Sequence, residues 1–157
     1  MAFEAISHSI LPVTLPSPAT IIAKIARFEW ELPHIEQEAG AYQLLEGPGL
    51  APRFLGHENG RIMGLLMEKI EGRSASFQDL SICKTALGKL HELGHAHGDV
   101  NRHNFLVTEE GVKLLDFECL LENASPKSMR GELESLRAEL VNESGRGGGF
   151  ILQGGSN

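Results

Sequence analysis

Two hydrophobic periods alternate along this chain, one near two residues and one near 3.6. Residues 20–28, T-I-I-A-K-I-A-R-F, are β-branched and apolar with Lys24 in their middle, which predicts a buried strand. Ile35, Ala39, Tyr42 and Leu45 then recur at helical spacing. Pro33 suits the first turn of that helix, and Gly47-Pro48-Gly49 ends it. Residues 53–57 and 61–67 flank Glu58-Asn59-Gly60 and read as a hairpin, whose second strand is almost wholly apolar and so central. Residues 68–72 leave it as a polar connector. Leu80, Cys83, Leu87 and Leu90 mark a second helix, with Ser76 and Asp79 at capping-box spacing before it and Gly94 near its end. Strands over 104–108 and 111–115, joined at Glu109-Glu110-Gly111, predict another hairpin. Met129, Leu133, Leu136 and Leu140 line a last helix, with Ser128 as its expected cap. Ahead of all this, residues 3–10 alternate like an edge strand before Pro12, Pro16 and Pro18. Residues 143–157 are Gly-rich, and a flexible tail is expected there. The order of elements predicts an α+β chain.

Composition narrows the function more than the fold. At 157 residues a single domain is expected. A net charge of −7 offers no basic field, so neither a nucleic acid nor a membrane surface is an expected partner. The two cysteines, Cys83 and Cys119, are too few for a disulfide framework and read as buried free thiols. Without a basic leader or a long apolar run, a cytoplasmic location is the expectation.

The candidate chemistry lies in residues 97–118, H-G-D-V-N-R-H-N-F-L-V-T-E-E-G-V-K-L-L-D-F-E. A hairpin here brings Asp99, Asn104 and Asp116 to the same end of one ribbon. Two carboxylates and an amide suit a hard cation such as Mg²⁺. His91 and His95, at i and i+4, lack clear third and fourth ligands for zinc. Lys24 inside an apolar strand and Glu38 beside an apolar helix stripe are the other polar residues that stand out.

In this order the five residues resemble the protein-kinase-like phosphotransferases. A-K-I around Lys24 is similar to V-A-I-K, and Glu38 to the glutamate of the following helix. H-G-D-V-N-R-H-N resembles H-R-D-x-x-x-x-N, and D-F-E resembles D-F-G. M-E-K-I-E-G, residues 67–72, is similar to the hinge of aminoglycoside and choline kinases. H-G-D leans towards the small-molecule and lipopolysaccharide-kinase branch. More closely, residues 21–148 resemble short fungal kinase-like proteins that share H-N-F-L-V, D-F-E, a short acidic helix and S-G-R-G-G.

That resemblance implies a minimal kinase-like fold. A small antiparallel N-terminal sheet with one helix (1–70) would sit on a truncated, mainly helical C-terminal part (71–142), followed by the tail (143–157). It implies ATP and Mg²⁺ as cofactors and transfer of phosphate to a hydroxyl of a small-molecule acceptor. Asp99 would take or orient the hydroxyl proton, and Lys24 would hold phosphates, oriented by Glu38. Asn104 and Asp116 would bind Mg²⁺, and backbone groups of Glu68 to Ile70 would pair with adenine. His97 resembles the structural histidine of the loop, not a base.

Three departures qualify these expectations. No glycine precedes Gly40, so a Gly-rich phosphate loop is missing, with Gly-rich 144–149 and Arg146 as one substitute. Glu118 stands where D-F-G has glycine, which reduces backbone swing and offers an extra cation ligand. Too few residues follow for an A-P-E segment and a peptide platform. This argues against a protein substrate and for apolar surface that a homodimer or partner would cover. The rival expectations are a pseudokinase-like nucleotide-binding or interaction module, and an enzyme using the same site for non-phosphoryl chemistry.

Overall fold

The computed structural model describes residues 21–26, 28–58 and 64–142. The expected edge strand at 3–10, the tip of the first hairpin and the Gly-rich tail lie outside them. The first sheet is built from β1 (Ile21–Ile25), β2 (Phe54–Glu58) and β3 (Gly64–Glu68), all antiparallel, in the order β1-β3-β2. The most apolar run is therefore central. Strands on both edges pair its backbone, and Leu65 and Met67, on one face, are buried in the core cluster with residues of the following helix. Lys24 lies opposite Leu65 in the register and shares a strand face with Ile22, a core residue.

Helix α1 (Leu32–Leu44) starts with Pro33 in its first turn and buries Ile35, Ala39 and Tyr42, the expected stripe, with Glu38 beside them. Leu45, just past its end, is also buried.

The second half is mainly helical, as expected, with one strand more than the predicted hairpin. It carries a three-stranded antiparallel sheet, β4 (Arg73–Ser74), β5 (Phe105–Thr108) and β6 (Gly111–Leu114), in that order. The hairpin β5–β6 is the predicted one, with Phe105 opposite Leu114. The added strand β4 pairs Arg73 with Val107 and Ser74 with Leu106. Two polar residues carry no alternation to reveal a strand; backbone pairing alone defines it. Gly72 permits the approach, since a Cβ there would lie 2.6 Å from the Val107 carbonyl oxygen.

Helix α2 (Leu80–Glu92) buries Cys83, Ala86, Leu87 and Leu90 and packs against β6 and α3 (Pro126–Val141). The capping box forms: Asp79 Oδ2 accepts the Ser76 N–H at 2.8 Å. The cap of α3 is Ser125, not Ser128. Its hydroxyl accepts the Ser128 N–H at 3.1 Å, and Pro126 takes the first helical position, where a missing N–H costs nothing. Leu136 and Leu140 are fully enclosed, whereas Leu133 is only partly buried. A single buried cluster extends from Ile22 to Leu140. Of the two free cysteines, Cys83 is buried but Cys119 is exposed, because it sits in the turn after β6. Among the described residues no helix is long and apolar enough to cross a membrane.

Candidate functional site

Lys24 is the hub of the site. Its side chain is 12% exposed, and its ammonium contacts carboxylates from separate segments. Glu38 on α1 lies 2.6 Å away, Asp116 at 3.9 Å, and Glu118 makes a close ion pair from a turn distant in sequence. An unpaired ammonium buried to this degree would cost several kcal/mol. Burial by itself pulls the Lys24 pKa down, yet the carboxylates outweigh it and raise it above the ordinary lysine value. Glu38 has the opposite balance. It is almost fully enclosed, and burial pushes its pKa up to about 7 despite the bond to Lys24. Burial also raises Asp116, with Lys24 opposing.

The segment after β6 is shaped to deliver these carboxylates. Asp116 takes a left-handed conformation, φ 58°, which costs a non-glycine residue about 1 kcal/mol and persists only where the surroundings hold it. Its N–H donates to the Tyr42 hydroxyl at 3.3 Å. Phe117 turns into the core, edge-on to Tyr42 at 5.1 Å and beside His97 at 5.3 Å. Asp116 and Glu118, on either side of it, face Lys24. Gln37 of α1 donates to the Leu120 carbonyl at 3.0 Å and fixes the far end. A space of about 230 Å³ opens beside Lys24 and Glu118, walled by Trp30, Glu31, His34 and Ile35.

The Asp99 loop joins this segment through His97 and Asn104. Buried His97 donates from Nε2 to the Leu115 carbonyl at 2.8 Å, so Nδ1 is free to accept the Asp99 N–H at 3.3 Å. Burial lowers the His97 pKa, which keeps the ring neutral in this bridging role. The Asn104 backbone carbonyl accepts the Leu115 N–H at 2.9 Å, and its side-chain amide donates to the Asp99 backbone carbonyl at 2.8 Å. A weaker contact, 3.4 Å, runs from the same amide to the Asp99 carboxylate. Asp99 and Asn104 are thus tied to Leu115, the residue before Asp116, at the end of the β5–β6 ribbon.

Three contributors lay outside the sequence reading. Glu132 of α3 accepts backbone N–H groups from His97 and Gly98, and pairs with His91 at 2.8 Å. Asn101 accepts the His103 N–H at 2.9 Å and stabilises the 3₁₀ turn Arg102–Asn104. Gly98 has φ +84°, and a Cβ there would lie 1.9 Å from the Cys119 carbonyl oxygen, so the loop and the Asp116–Cys119 segment meet only through a glycine. The H-G-D motif holds the signal for Gly98; Glu132 left none, because its helix is rich in carboxylates.

Glu68 and Ile70 are not brought to the Lys24 cluster. Glu68 ends β3, and its N–H donates to the Arg53 carbonyl at 3.0 Å. Its carboxylate accepts the Arg53 N–H at 2.8 Å. Both residues line an open hollow of about 790 Å³ with Gly72, Val107 and Lys113.

An acidic cluster surrounds the Lys24 ammonium. One oxygen each of Glu38, Asp116 and Glu118 lies within 4.8 Å of the others. Asn104 is 1% exposed, and its buried Oδ1 has no hydrogen-bond partner among the described residues. All-oxygen ligands of this kind suit Mg²⁺ or Mn²⁺ rather than a soft metal. No family model matches the chain, and no curated protein matches its sequence. The chemistry therefore stands on the site's own geometry.

Proposed function

We propose that this protein is a kinase-like phosphotransferase that moves a phosphoryl group from ATP to a hydroxyl of a small-molecule acceptor. The observation that carries this reading is the Lys24 ammonium, bonded to Glu38 and facing Asp116, at the end of the ribbon that also bears Asp99 and Asn104. Phosphoryl transfer asks mainly for positioning and charge neutralisation, and these residues offer both.

Lys24 steadies the phosphate oxygens, and Glu38, fixed on α1, orients it. Asp116 and Asn104 Oδ1 would hold Mg²⁺, with Glu118 as a further oxygen ligand, and the ion would supply charge neutralisation. Asp99 accepts the proton of the attacking hydroxyl as the new O–P bond forms and the bond from the γ-phosphorus to the β-phosphate oxygen breaks. His97 and Asn104 hold the Asp99 backbone in place. The hollow at Glu68–Arg73 is the candidate adenine side, with backbone groups beyond Glu68 as partners.

A pseudokinase-like binding module is the second reading, and the lack of any glycine before Gly40 to form a phosphate-covering loop favours it. Thermal melting with millimolar ATP, with and without Mg²⁺, tests both, since a ligand of the native state raises the melting temperature by mass action. A shift that needs Mg²⁺ and is lost in Asp116→Asn is expected. Asp99→Asn should keep the shift and lose phosphate transfer. No shift under any condition would sink the nucleotide reading. Binding without ATP consumption across hydroxylated acceptors would favour the module.

A further inference from the structure

Phosphoryl transfer at Lys24, Asp99 and Asn104 makes no use of Arg102 and His103, which stand between Asp99 and Asn104. Both are half-buried, and their turn is held from two sides. Asn101 accepts the His103 N–H, and the Ala75 N–H donates to the Arg102 carbonyl at 3.2 Å and to the Phe105 carbonyl at 3.0 Å. That shared donor ties the turn to β4, where Ser74 pairs with Leu106 of β5.

The junction gathers hydrogen-bond donors and a positive charge, the reverse of the carboxylates around Lys24. The Ser74 hydroxyl lies 3.2 Å from His103 Nδ1. Burial, and then the charge of Arg102, hold the His103 pKa below the ordinary histidine value, so the ring is uncharged near neutral pH and lies within Coulombic reach of the guanidinium. Either tautomer leaves the pair one donor to spare. It is Nε2–H if the hydroxyl donates to Nδ1, and the hydroxyl if Nδ1–H donates to it. Arg102 adds another, since its buried Nε has no hydrogen-bond partner among the described residues. An N–H of a cation that is shut from water is costly to leave without an acceptor. Arg73, beside Ser74, is committed to Asp79 through both terminal nitrogens, so the charge on offer is that of Arg102.

Donors around a guanidinium select an oxyanion. Resting on the phosphotransferase reading, we propose that Arg102, with the Ser74–His103 pair, holds a phosphate or carboxylate group of the acceptor while Asp99 receives its hydroxyl. The acceptor is then a hydroxy acid or a polyol phosphate, and a neutral polyol is a poor substitute. Three residues of chain span at most about 10 Å, so a molecule of a few carbons reaches from Asp99 to Arg102. A net charge of −7 repels such an acceptor, and a local cation overcomes that.

The test uses the full chain in two arms. In the first, without nucleotide or Mg²⁺, inorganic phosphate and acetate are titrated at constant ionic strength. The Arg102 Nε–H resonance, assigned by its loss in Arg102→Lys, is followed by NMR. A saturable downfield shift is expected with at least one anion, and Ser74→Ala or His103→Gln should weaken it several-fold. A resonance that ignores both anions, or moves no more than in chloride, overturns the site. In the second arm, phosphate transfer is compared among glycerol, glycerate and glycerol phosphate. The better anionic acceptor should have a KM at least about tenfold below that of glycerol, as expected for one charge-assisted bond. Arg102→Gln should raise that KM by a similar factor and Arg102→Lys by less, with Mg²⁺-ATP affinity as the control for folding. Equal use of neutral and anionic acceptors, or an equal loss for both in Arg102→Gln, overturns the anchor. If phosphate shifts the Nε–H but ATP does not bind, the phosphotransferase reading falls, the acceptor falls with it, and the site is one for free phosphate.

Discussion

The Glu132 carboxylate accepts the backbone N–H of Gly98 at 2.6 Å, and its other oxygen accepts that of His97 at 3.0 Å. A helix that follows the site in sequence thereby holds the loop that presents Asp99. Glu132→Ala leaves two backbone donors and His91 without this acceptor. The expected loss is about 1–2 kcal/mol, because the His97 N–H is part-buried whereas water can replace the acceptor at the exposed Gly98 N–H. Glu132→Gln keeps one acceptor and should fall between. Urea unfolding measures this; an alanine variant within about 0.5 kcal/mol of the natural protein would remove the clamp from the account.

Gly98 meets the Cys119 carbonyl too closely for any side chain. Gly98→Ala must shift either the Asp99 loop or the Asp116–Cys119 segment, and it also strains a positive φ. A loss of at least about 2 kcal/mol is expected from the two effects together. Cys119 gives a second readout. As the segment moves, its exposed thiol should change its rate of reaction with a thiol reagent, and an unchanged rate with unchanged stability would contradict the contact.

Glu38 makes stability depend on pH in an unusual direction. Its folded pKa, about 7, lies above the ordinary 4.5, so the native state keeps a proton that the unfolded chain releases. That contribution is full below 4.5 and is lost as pH rises through 7, with a size of roughly 1–3 kcal/mol. Glu38→Gln should flatten the curve in this window. Lys24→Met should destabilise more at pH 8 than at pH 5.5, because at the lower pH Glu38 can neutralise itself when its partner is gone. Equal losses at the two pH values would mean that Glu38 stays ionised throughout.

Asp79 behaves in the ordinary way. The Arg73 guanidinium, at 2.7 and 2.9 Å, holds its carboxyl well below the usual range, helped by Ser76. Its contribution is present above about 3.8 and fades as pH falls below that value. Asp79→Ala removes both this pair and the capping box of α2. The expected loss near neutral pH is about 1–2 kcal/mol. The difference from the natural protein should shrink as pH falls below about 3.8; a gap of undiminished size at pH 2 would place the effect in packing instead.

The sequence by itself determined the elements with a clear period: β3 as an apolar central strand, α1 and α2 as amphipathic helices, and the β5–β6 hairpin. Asp99, Asn104 and Asp116 followed from that hairpin, since a tight turn brings the ends of neighbouring strands together. Lys24 was legible as an anomaly, a charge inside an apolar strand. What only the tertiary structure decided was where the charge goes. The Glu118 contact with Lys24 spans 94 residues, and Glu132 reaches the Gly98 N–H across 34. The short strand β4, two polar residues, exists only because β5 is there to pair with it. Periodicity records which face of an element leaves water, and that is a local property. A carboxylate that pairs with a buried ammonium and one that faces solvent look alike in sequence, because the difference between them is made by a distant return of the chain.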